Sequence, residues 1–202
     1  MVEAVYTIGH STHRVEQVIA FLNKEGITVL GDVRSQPYSR WNPGFDREAL
    51  KVALKEVGIG YVFLGVELGG RSEDRSCSRQ GRVRFDLVAQ TELFKAGIER
   101  VRRGADRYRL VLMCAEKEPL DCHRTILVAR ALVAQGVPVR HILSDGRIED
   151  HARTVARLVA MLGLAGEDMF LDRDGVLEEA YARQGQKIAP GVPSRSLQRG
   201  AF

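Results

Sequence analysis

The sequence predicts an α/β fold: a doubly wound, mostly parallel sheet of about five strands with helices on both faces. Three observations predict it. Short apolar runs alternate with amphipathic segments along the chain. Those runs are apolar nearly throughout, as strands covered on both faces are. Each of three polar tripeptides, Gly9-His10-Ser11, Asp32-Val33-Arg34 and Cys114-Ala115-Glu116, stands where such a run ends.

The first strand is Ala4-Val5-Tyr6-Thr7-Ile8, ending at Gly9. Val15, Val18, Ile19 and Leu22 repeat at i, i+3, i+4 and i+7, the spacing of one helix face, and Gly26 closes that helix. Ser11 or Thr12 is placed to cap it, and His13 reads as a solvated residue of its first turn. Thr28-Val29-Leu30 leads to Asp32 as the second strand. A Pro- and aromatic-rich loop, 36–45, precedes a helix capped by Asp46, with Leu50, Ala53, Leu54 and Val57 inward. Tyr61-Val62-Phe63-Leu64 is the third strand. The polar, Gly- and Arg-rich stretch 69–84 is long for a connection, and such loops tend to be functional or mobile.

Asp86 starts a long helix with Leu87, Thr91, Phe94, Ile98 and Val101 on one face. The fourth strand is Arg109-Leu110-Val111-Leu112-Met113. Asp121 caps the next helix, whose run 126–134 is apolar on nearly every side and therefore buried. Val137 to Leu143 is the fifth strand, and Val155, Leu158, Val159 and Leu162 mark a further helix. The reading divides the chain into an α/β domain, 1–163, and a C-terminal part, 164–202, with one short helix around 176–184 and a loose basic tail from Gly185 on.

Composition narrows the functional classes. A chain of 202 residues, 45% hydrophobic and 28% charged, can bury a core without disulfides or metals. Three cysteines, Cys77, Cys114 and Cys122, do not make a disulfide framework. Cys77 reads as an incidental exposed thiol. Neither a secretory leader nor an apolar run of membrane-spanning length is evident, so a cytoplasmic location and no membrane partner are expected. A net charge of +4 permits an anionic ligand or nucleic acid without requiring either.

In an open α/β sheet, ligands bind beyond the carboxyl ends of the strands. The polar tripeptides should therefore converge on one crevice. Gly9 lets the backbone turn and approach a ligand. His10 can serve as acid/base, hydrogen-bond partner or metal ligand. Asp32 and Arg34, two residues apart, leave the strand with the same facing; they can bind a ligand or pair with each other to order the loop. Ser39, Arg40 and Trp41 follow, the lone tryptophan serving to pack under the loop or line a pocket.

Cys114-Ala115-Glu116 leads into Asp121-Cys122-His123-Arg124. There the dipole and free amides of a helix start depress a thiol pKa and favour an anion, and Arg124 adds charge. Three readings stay open at this point. Cys114, Cys122 and His123 with His10 can make a tetrahedral zinc set, which is not favoured because no familiar CxxC spacing is present. Cys122 or Cys114 can be a redox or nucleophilic thiol. Or the cysteines pack, and Glu116, His123 and Arg124 handle a ligand. Gly69-Gly70-Arg71 can cradle a phosphate, and Arg71, Arg75, Arg79, Arg82 and Arg84 make loop 71–84 basic enough for a lid over an anion or a nucleic-acid contact.

Several of these motifs together resemble the domain of unknown function 488 family: Tyr6-Thr7-Ile8-Gly9-His10-Ser11, Asp32-Val33-Arg34 with Pro37 and Ser39, Leu68-Gly69-Gly70, Cys114-Ala115-Glu116 and Cys122-His123-Arg124, with a similar ending at 180–189. The resemblance implies a compact α/β domain with a shared site and no agreed reaction. It raises the weight of His10, Asp32, Arg34, Cys114, Glu116, Cys122, His123 and Arg124 as the working residues.

The leading expectation is an enzyme, a hydrolase or group transferase, acting on a small anionic or nucleotide-like ligand. Its acid/base candidates are His10, Asp32, Glu116 and His123. Its substrate-binding candidates are Gly9, Arg34, Ser39, Gly70, Cys114, Cys122 and Arg124. The rivals are a non-catalytic ligand- or nucleic-acid-binding module and a zinc- or redox-sensing protein built on Cys114 and Cys122.

Overall fold

The computed structural model describes residues 3–39, 42–72, 74–164 and 173–192. Arg40, Trp41 and the tail beyond residue 192 lie outside them. The strands are β1 (Val5–Gly9), β2 (Val29–Asp32), β3 (Gly60–Phe63), β4 (Ser78–Arg79), β5 (Arg82–Val83), β6 (Leu110–Cys114), β7 (Val139–Ile142) and β8 (Ile148–Asp150). The helices are α1 (Val15–Lys24), α2 (Arg47–Glu56), α3 (Gly65–Leu68), α4 (Phe85–Val88), α5 (Glu92–Ala105), α6 (Arg130–Ala134), α7 (His151–Met161) and α8 (Arg173–Ile188).

The main sheet has six strands in the order β3-β2-β6-β1-β7-β8, parallel except for β8, which is antiparallel to β7. The sixth strand was not expected. It forms a hairpin through Asp145-Gly146, where Gly146 has φ 77° and Leu143 N–H donates to Arg147 O. Chain reversals with positive φ favour glycine because a Cβ crowds the backbone there.

The connections explain the two layers. β1→β2 and β2→β3 run one way along the sheet, while β3→β6 and β6→β7 run the other. Right-handed crossovers in opposite directions place their helices on opposite faces. Accordingly Val18 and Leu22 of α1 and Leu50 and Leu54 of α2 pack with Tyr6, Ile8, Val111 and Met113. On the other face Phe94 and Ile98 of α5 and Ile126 and Leu127 pack with Val5, Leu112 and Cys114. Alternation along β6 thus aims Met113 at one layer and Cys114 at the other. Outgoing connections diverge on both sides of β6, from its neighbours β2 and β1, and a crevice opens at such divergences, the topological switch points of the sheet.

Several local expectations are corrected. The long helix from Asp86 is two helices, because the Thr91 hydroxyl accepts from Phe94 N–H (3.2 Å) and starts α5 afresh. Asp121 does not cap the next helix; it ends a 3-10 turn, Pro119–Asp121, capped by Glu118. The chain enters that helix at His123, after an extended Cys122, runs through a π-helical stretch, Arg124–Ala129, and continues as α6. Neither Ser11 nor Thr12 caps α1, whose N-cap is Arg14. Asp46 precedes α2 but turns its carboxylate to Ser39 N–H (2.7 Å).

Stretch 69–84 holds ordered structure. A turn at Arg75–Cys77 folds Cys77 into the core, so its thiol is buried, and β4 and β5 pair through Gln80-Gly81, both with positive φ. The tail from Gly185 is not loose through residue 192. α8 continues to Ile188, Val83 N–H donates to Pro190 O, Val192 N–H donates to Gly81 O, and Arg82 donates to Ala189 O.

Candidate active site

β1, β2 and β6 deliver two groups of side chains, one from each layer, to the switch-point crevice. On the α1/α2 side, Asp32 is fully buried beneath Arg34. Its Oδ1 accepts from Arg34 N–H (3.1 Å) and Nε (2.9 Å), and its Oδ2 from Arg34 Nη2 (2.7 Å) and Tyr61 Oη (2.8 Å). Those four bonds fill the acceptor capacity of a carboxylate. Burial opposes the charge on Arg34, yet the hydrogen bonds and charge of Asp32 outweigh it and raise the guanidinium pKa. Burial, then the Asp32 charge, pushes the Tyr61 phenol up. Arg34 Nη2 also donates to Phe45 O (2.8 Å), which leaves Nη1 for the crevice, 3.5 Å from His10 Nε2.

His10 stacks on Phe45 with ring centroids 4.2 Å apart. Its Nδ1 lies 3.1 Å from Ser11 O, so Nδ1 carries the proton and Nε2 is the acceptor. Burial, and then Arg34, lowers the His10 pKa to about 4, so the imidazole is neutral at pH 7. Ser11 turns the chain away with φ 48° while its N–H donates to Ala115 O. Gly9 is required by close approach: a Cβ there would lie 1.8 Å from Glu116 O.

On the other side Cys114, Glu116, Cys122 and His123 cluster. His123 Nδ1 is 3.7 Å from Cys114 Sγ and 3.8 Å from Cys122 Sγ, and Cys122 Sγ is 2.9 Å from Glu116 Oε2. His123 Nε2 donates to Val33 O (3.1 Å), tying this layer to the Asp32-Val33-Arg34 turn. The thiol hydrogen bond with Cys122, together with burial, pushes Cys114 well up. Burial resists the charge on Cys122, but Cys114, Arg124 and His123 favour its thiolate and bring it well down. Burial and the Cys122 charge raise the Glu116 carboxyl. Burial resists protonation of His123, but Cys122 and Glu116 outweigh it and raise that imidazole.

Arg124 is fully buried and holds the loop: Nη1 donates to Glu116 O (2.7 Å) and Nη2 to Lys117 O (3.3 Å). It is a clamp whose charge acts on Cys122 from behind. Gly70 lets the chain lie against the His123 ring, where a Cβ would come within 2.8 Å. Ser35 Oγ accepts from Arg71 N–H (2.9 Å) and positions that turn.

The crevice has a volume of about 440 Å³. His10, Arg34, Ser39, Gly70, Cys114, Glu116 and His123 line it; Gly9, Asp32, Cys122 and Arg124 stand behind its walls. His10 falls outside the thiol cluster, where Glu116 takes the place that the tetrahedral set gave it. Asp121 borders the crevice at the rim. Ser39 Oγ accepts from Asn42 N–H (3.0 Å), a loop contact.

Sequence reasoning missed Tyr61 and Phe45, which support Arg34 and His10, and Ile188 and Pro190, which line the crevice from the C-terminal segment. The one signal for the latter was the ending 180–189, read only as a resemblance. Of the arginines in 71–84, Arg71 lines the crevice, whereas Arg82 donates to Ala189 O and Arg84 pairs with Asp86. Among the described residues no helix is long and apolar enough to cross a membrane.

The family model described as Domain of unknown function DUF488 matches residues 14–131, more than half of the chain. No curated protein and no solved structure matches it.

Proposed function

The chain belongs to the DUF488 family, and for its strand-end crevice we propose an enzyme, a hydrolase or group transferase, that acts on a small anionic substrate. One observation carries this reading. The lining of one crevice joins a cationic wall, Arg34 Nη1 and Arg71, to reactive side chains, Cys114, Glu116 and His123.

The cationic wall takes the anionic group. Arg71, exposed on the turn that Ser35 fixes, supplies a guanidinium with no carboxylate partner among the described residues. Arg34 adds Nη1, which the Nε2 lone pair of neutral His10 helps to orient. Charge-assisted hydrogen bonds of this kind contribute about 1.5–3 kcal/mol each when desolvated. Among the reactive side chains Glu116 is the proton-transfer group. Its carboxyl is raised by burial and then by the Cys122 charge, and it reaches the crevice, as a general acid/base requires. Asp32 has no free acceptor position; it orients Arg34.

Thermal unfolding in the presence of inorganic phosphate or sulfate tests the binding half. Stabilisation follows RT ln(1 + [L]/Kd), about 2.7 kcal/mol at a hundredfold excess over Kd. It should rise with anion concentration and vanish in Arg71→Ala. Stabilisation that is absent, or unchanged in Arg71→Ala, removes the anion reading. Incubation with a cellular small-molecule extract tests the catalytic half: the wild type should consume a metabolite that Glu116→Gln leaves intact. Identical extracts would make the crevice a binding module.

A further inference from the structure

We propose that Cys114, Cys122, His123 and Glu116 form a zinc site at the floor of the crevice. The proposal stands on the geometry of that cluster and needs no assumption about the substrate.

The four donor atoms, two thiol sulfurs, His123 Nδ1 and a Glu116 carboxylate oxygen, all lie within 4.8 Å of one another. In tetrahedral zinc, bonds of about 2.3 Å to sulfur and 2.0–2.1 Å to nitrogen place neighbouring ligands about 3.4–3.8 Å apart. His123 Nδ1 is 3.7 Å from Cys114 Sγ and 3.8 Å from Cys122 Sγ, so both sulfur–nitrogen edges have that length. The set mixes soft thiolate with imidazole and carboxylate, which suits zinc over magnesium or calcium.

The surroundings are those that orient metal ligands. His123 Nε2–H donates to Val33 O, which fixes the tautomer and turns the Nδ1 lone pair to the two sulfurs. Arg124 N–H donates to Cys122 Sγ (3.4 Å), a contact that favours thiolate. Arg124 itself is fully buried beside the cluster. Two thiolates and a carboxylate around Zn²⁺ leave one negative charge, which the guanidinium balances. Gly70 lets the chain pass flat against the His123 ring and holds the imidazole in place.

Local structure explains why no familiar cysteine spacing marks the site. Cys114 ends β6, Glu116 follows it in the loop, and Cys122 leads, extended, into the helix that begins at His123 and continues through Arg124–Ala129. Strand end and helix start meet because Arg124 pins the intervening carbonyls of Glu116 and Lys117. Three of the ligands are buried and Glu116 is exposed to the crevice. Glu116 is therefore the ligand that can yield its coordination position to a water or a substrate oxygen, and its carboxyl is free to transfer a proton only when it has done so. This last step alone rests on the enzyme reading.

Untagged protein purified without chelator should carry one zinc per chain by elemental analysis. Cobalt(II) added to the metal-free protein should give the thiolate charge-transfer band and the strong visible bands of a tetrahedral site. Cys77→Ser, a change at the buried thiol outside the cluster, should keep the metal. Cys122→Ser and His123→Ala should weaken zinc binding by more than the roughly 10–100-fold that follows loss of an outer-shell partner. Because either may misfold, Glu116→Ala, which alters the most exposed ligand, should weaken it with an unchanged circular dichroism spectrum. Folded metal-free protein that takes up neither zinc nor cobalt overturns the site, as does zinc loss in Cys77→Ser with retention in Cys122→Ser. Phosphate stabilisation separates this from the enzyme reading. Zinc bound without an anion effect leaves the metal site standing and the substrate reading fallen, and the reverse result does the opposite.

Discussion

Arg34 shows how a strand-end charge can have two duties that one substitution cannot separate. Its guanidinium faces the crevice through Nη1 while Nε and Nη2 neutralise Asp32, which has no exposed surface. Removing one partner of a buried ion pair leaves the other charge unpaired and costs about 3–5 kcal/mol. Arg34→Ala should therefore lower the unfolding free energy by about that amount, as measured by urea denaturation, whether or not an anion is bound. Asp32→Asn together with Arg34→Ala should recover much of the loss, because no buried charge is then left alone. If Arg34→Ala is as stable as the wild type, the pair is not the anchor of this loop. Arg71, which has no carboxylate partner among the described residues, is the residue through which anion binding can be read. The same reasoning explains what the sequence revealed of the site. Residue type and strand-end position marked His10, Asp32, Arg34, Cys114, Glu116 and His123. Only three-dimensional pairing separates those that face the crevice from Asp32, whose acceptor positions are filled, and Arg124, whose Nη1 and Nη2 are turned to backbone carbonyls.

At the scale of elements, periodicity found the strands and helices that bury one continuous face, and it failed where a side chain or a turn interrupts the pattern. Leu87, Phe94, Ile98 and Val101 keep helical spacing across a break, so the pattern alone reads one helix where α4 and α5 are two. The break rests on Thr91, whose hydroxyl accepts from Phe94 N–H. Thr91→Ala should cost about 1 kcal/mol, the usual effect of losing an N-cap, and lower the thermal midpoint accordingly. A null effect would assign the break to packing of Phe85 and Phe94 instead. The hairpins escaped notice for a related reason. β4 and β5 have two residues each and β8 three, too few for alternation to register. The apolar run 126–134 marks the helix after Cys122 as buried; Arg124–Ala129 is buried throughout, but of Arg130–Ala134 only Leu132 is, and Val133 is exposed. Its start was misplaced because Asp121 is a better capping residue by type than Cys122, whose sulfur accepts from Arg124 N–H.

Across the whole molecule, the sheet and both helical layers were legible because nearly every strand is covered on two sides, while the polar contacts that join distant elements left no trace in local pattern. The largest is a buried chain through β1, β7, α7 and α8. Thr7 Oγ1 is 2.7 Å from His141 Nδ1, His141 Nε2 is 3.0 Å from His151 Nδ1, and His151 Nε2 is 2.9 Å from Tyr181 Oη. Either direction of this chain uses one donor and one acceptor on each ring, so both imidazoles are neutral. One proton can enter only by turning the Thr7 or Tyr181 hydroxyl into an acceptor, and protonating both rings would set two N–H groups against each other between them. Burial, followed by the charges of His151 and Arg124, lowers the His141 pKa well below its ordinary value. Arg157 also disfavours that proton and Cys122 favours it. Burial lowers the His151 pKa to about 4. Burial raises the Tyr181 phenol to about 12, against Arg130 and with Glu178, so it stays protonated. The sign follows. A histidine depressed in the folded state binds its proton more readily when unfolded, so its contribution is complete above the unfolded pKa of about 6.5 and is lost as pH falls toward the folded value. His10, also lowered, acts with the same sign, and His123, raised, acts against it. Between about pH 6 and 4.5 the unfolding free energy should decrease by about 1.4 kcal/mol per pH unit for each neutral buried histidine. Urea midpoints measured across that range should fall steeply in the wild type. His151→Gln, which keeps a polar group in the chain but cannot titrate, should flatten the slope by roughly one histidine's share. Equal slopes in the two proteins would mean that His151 already accepts a proton in the folded state and that the chain does not hold it neutral.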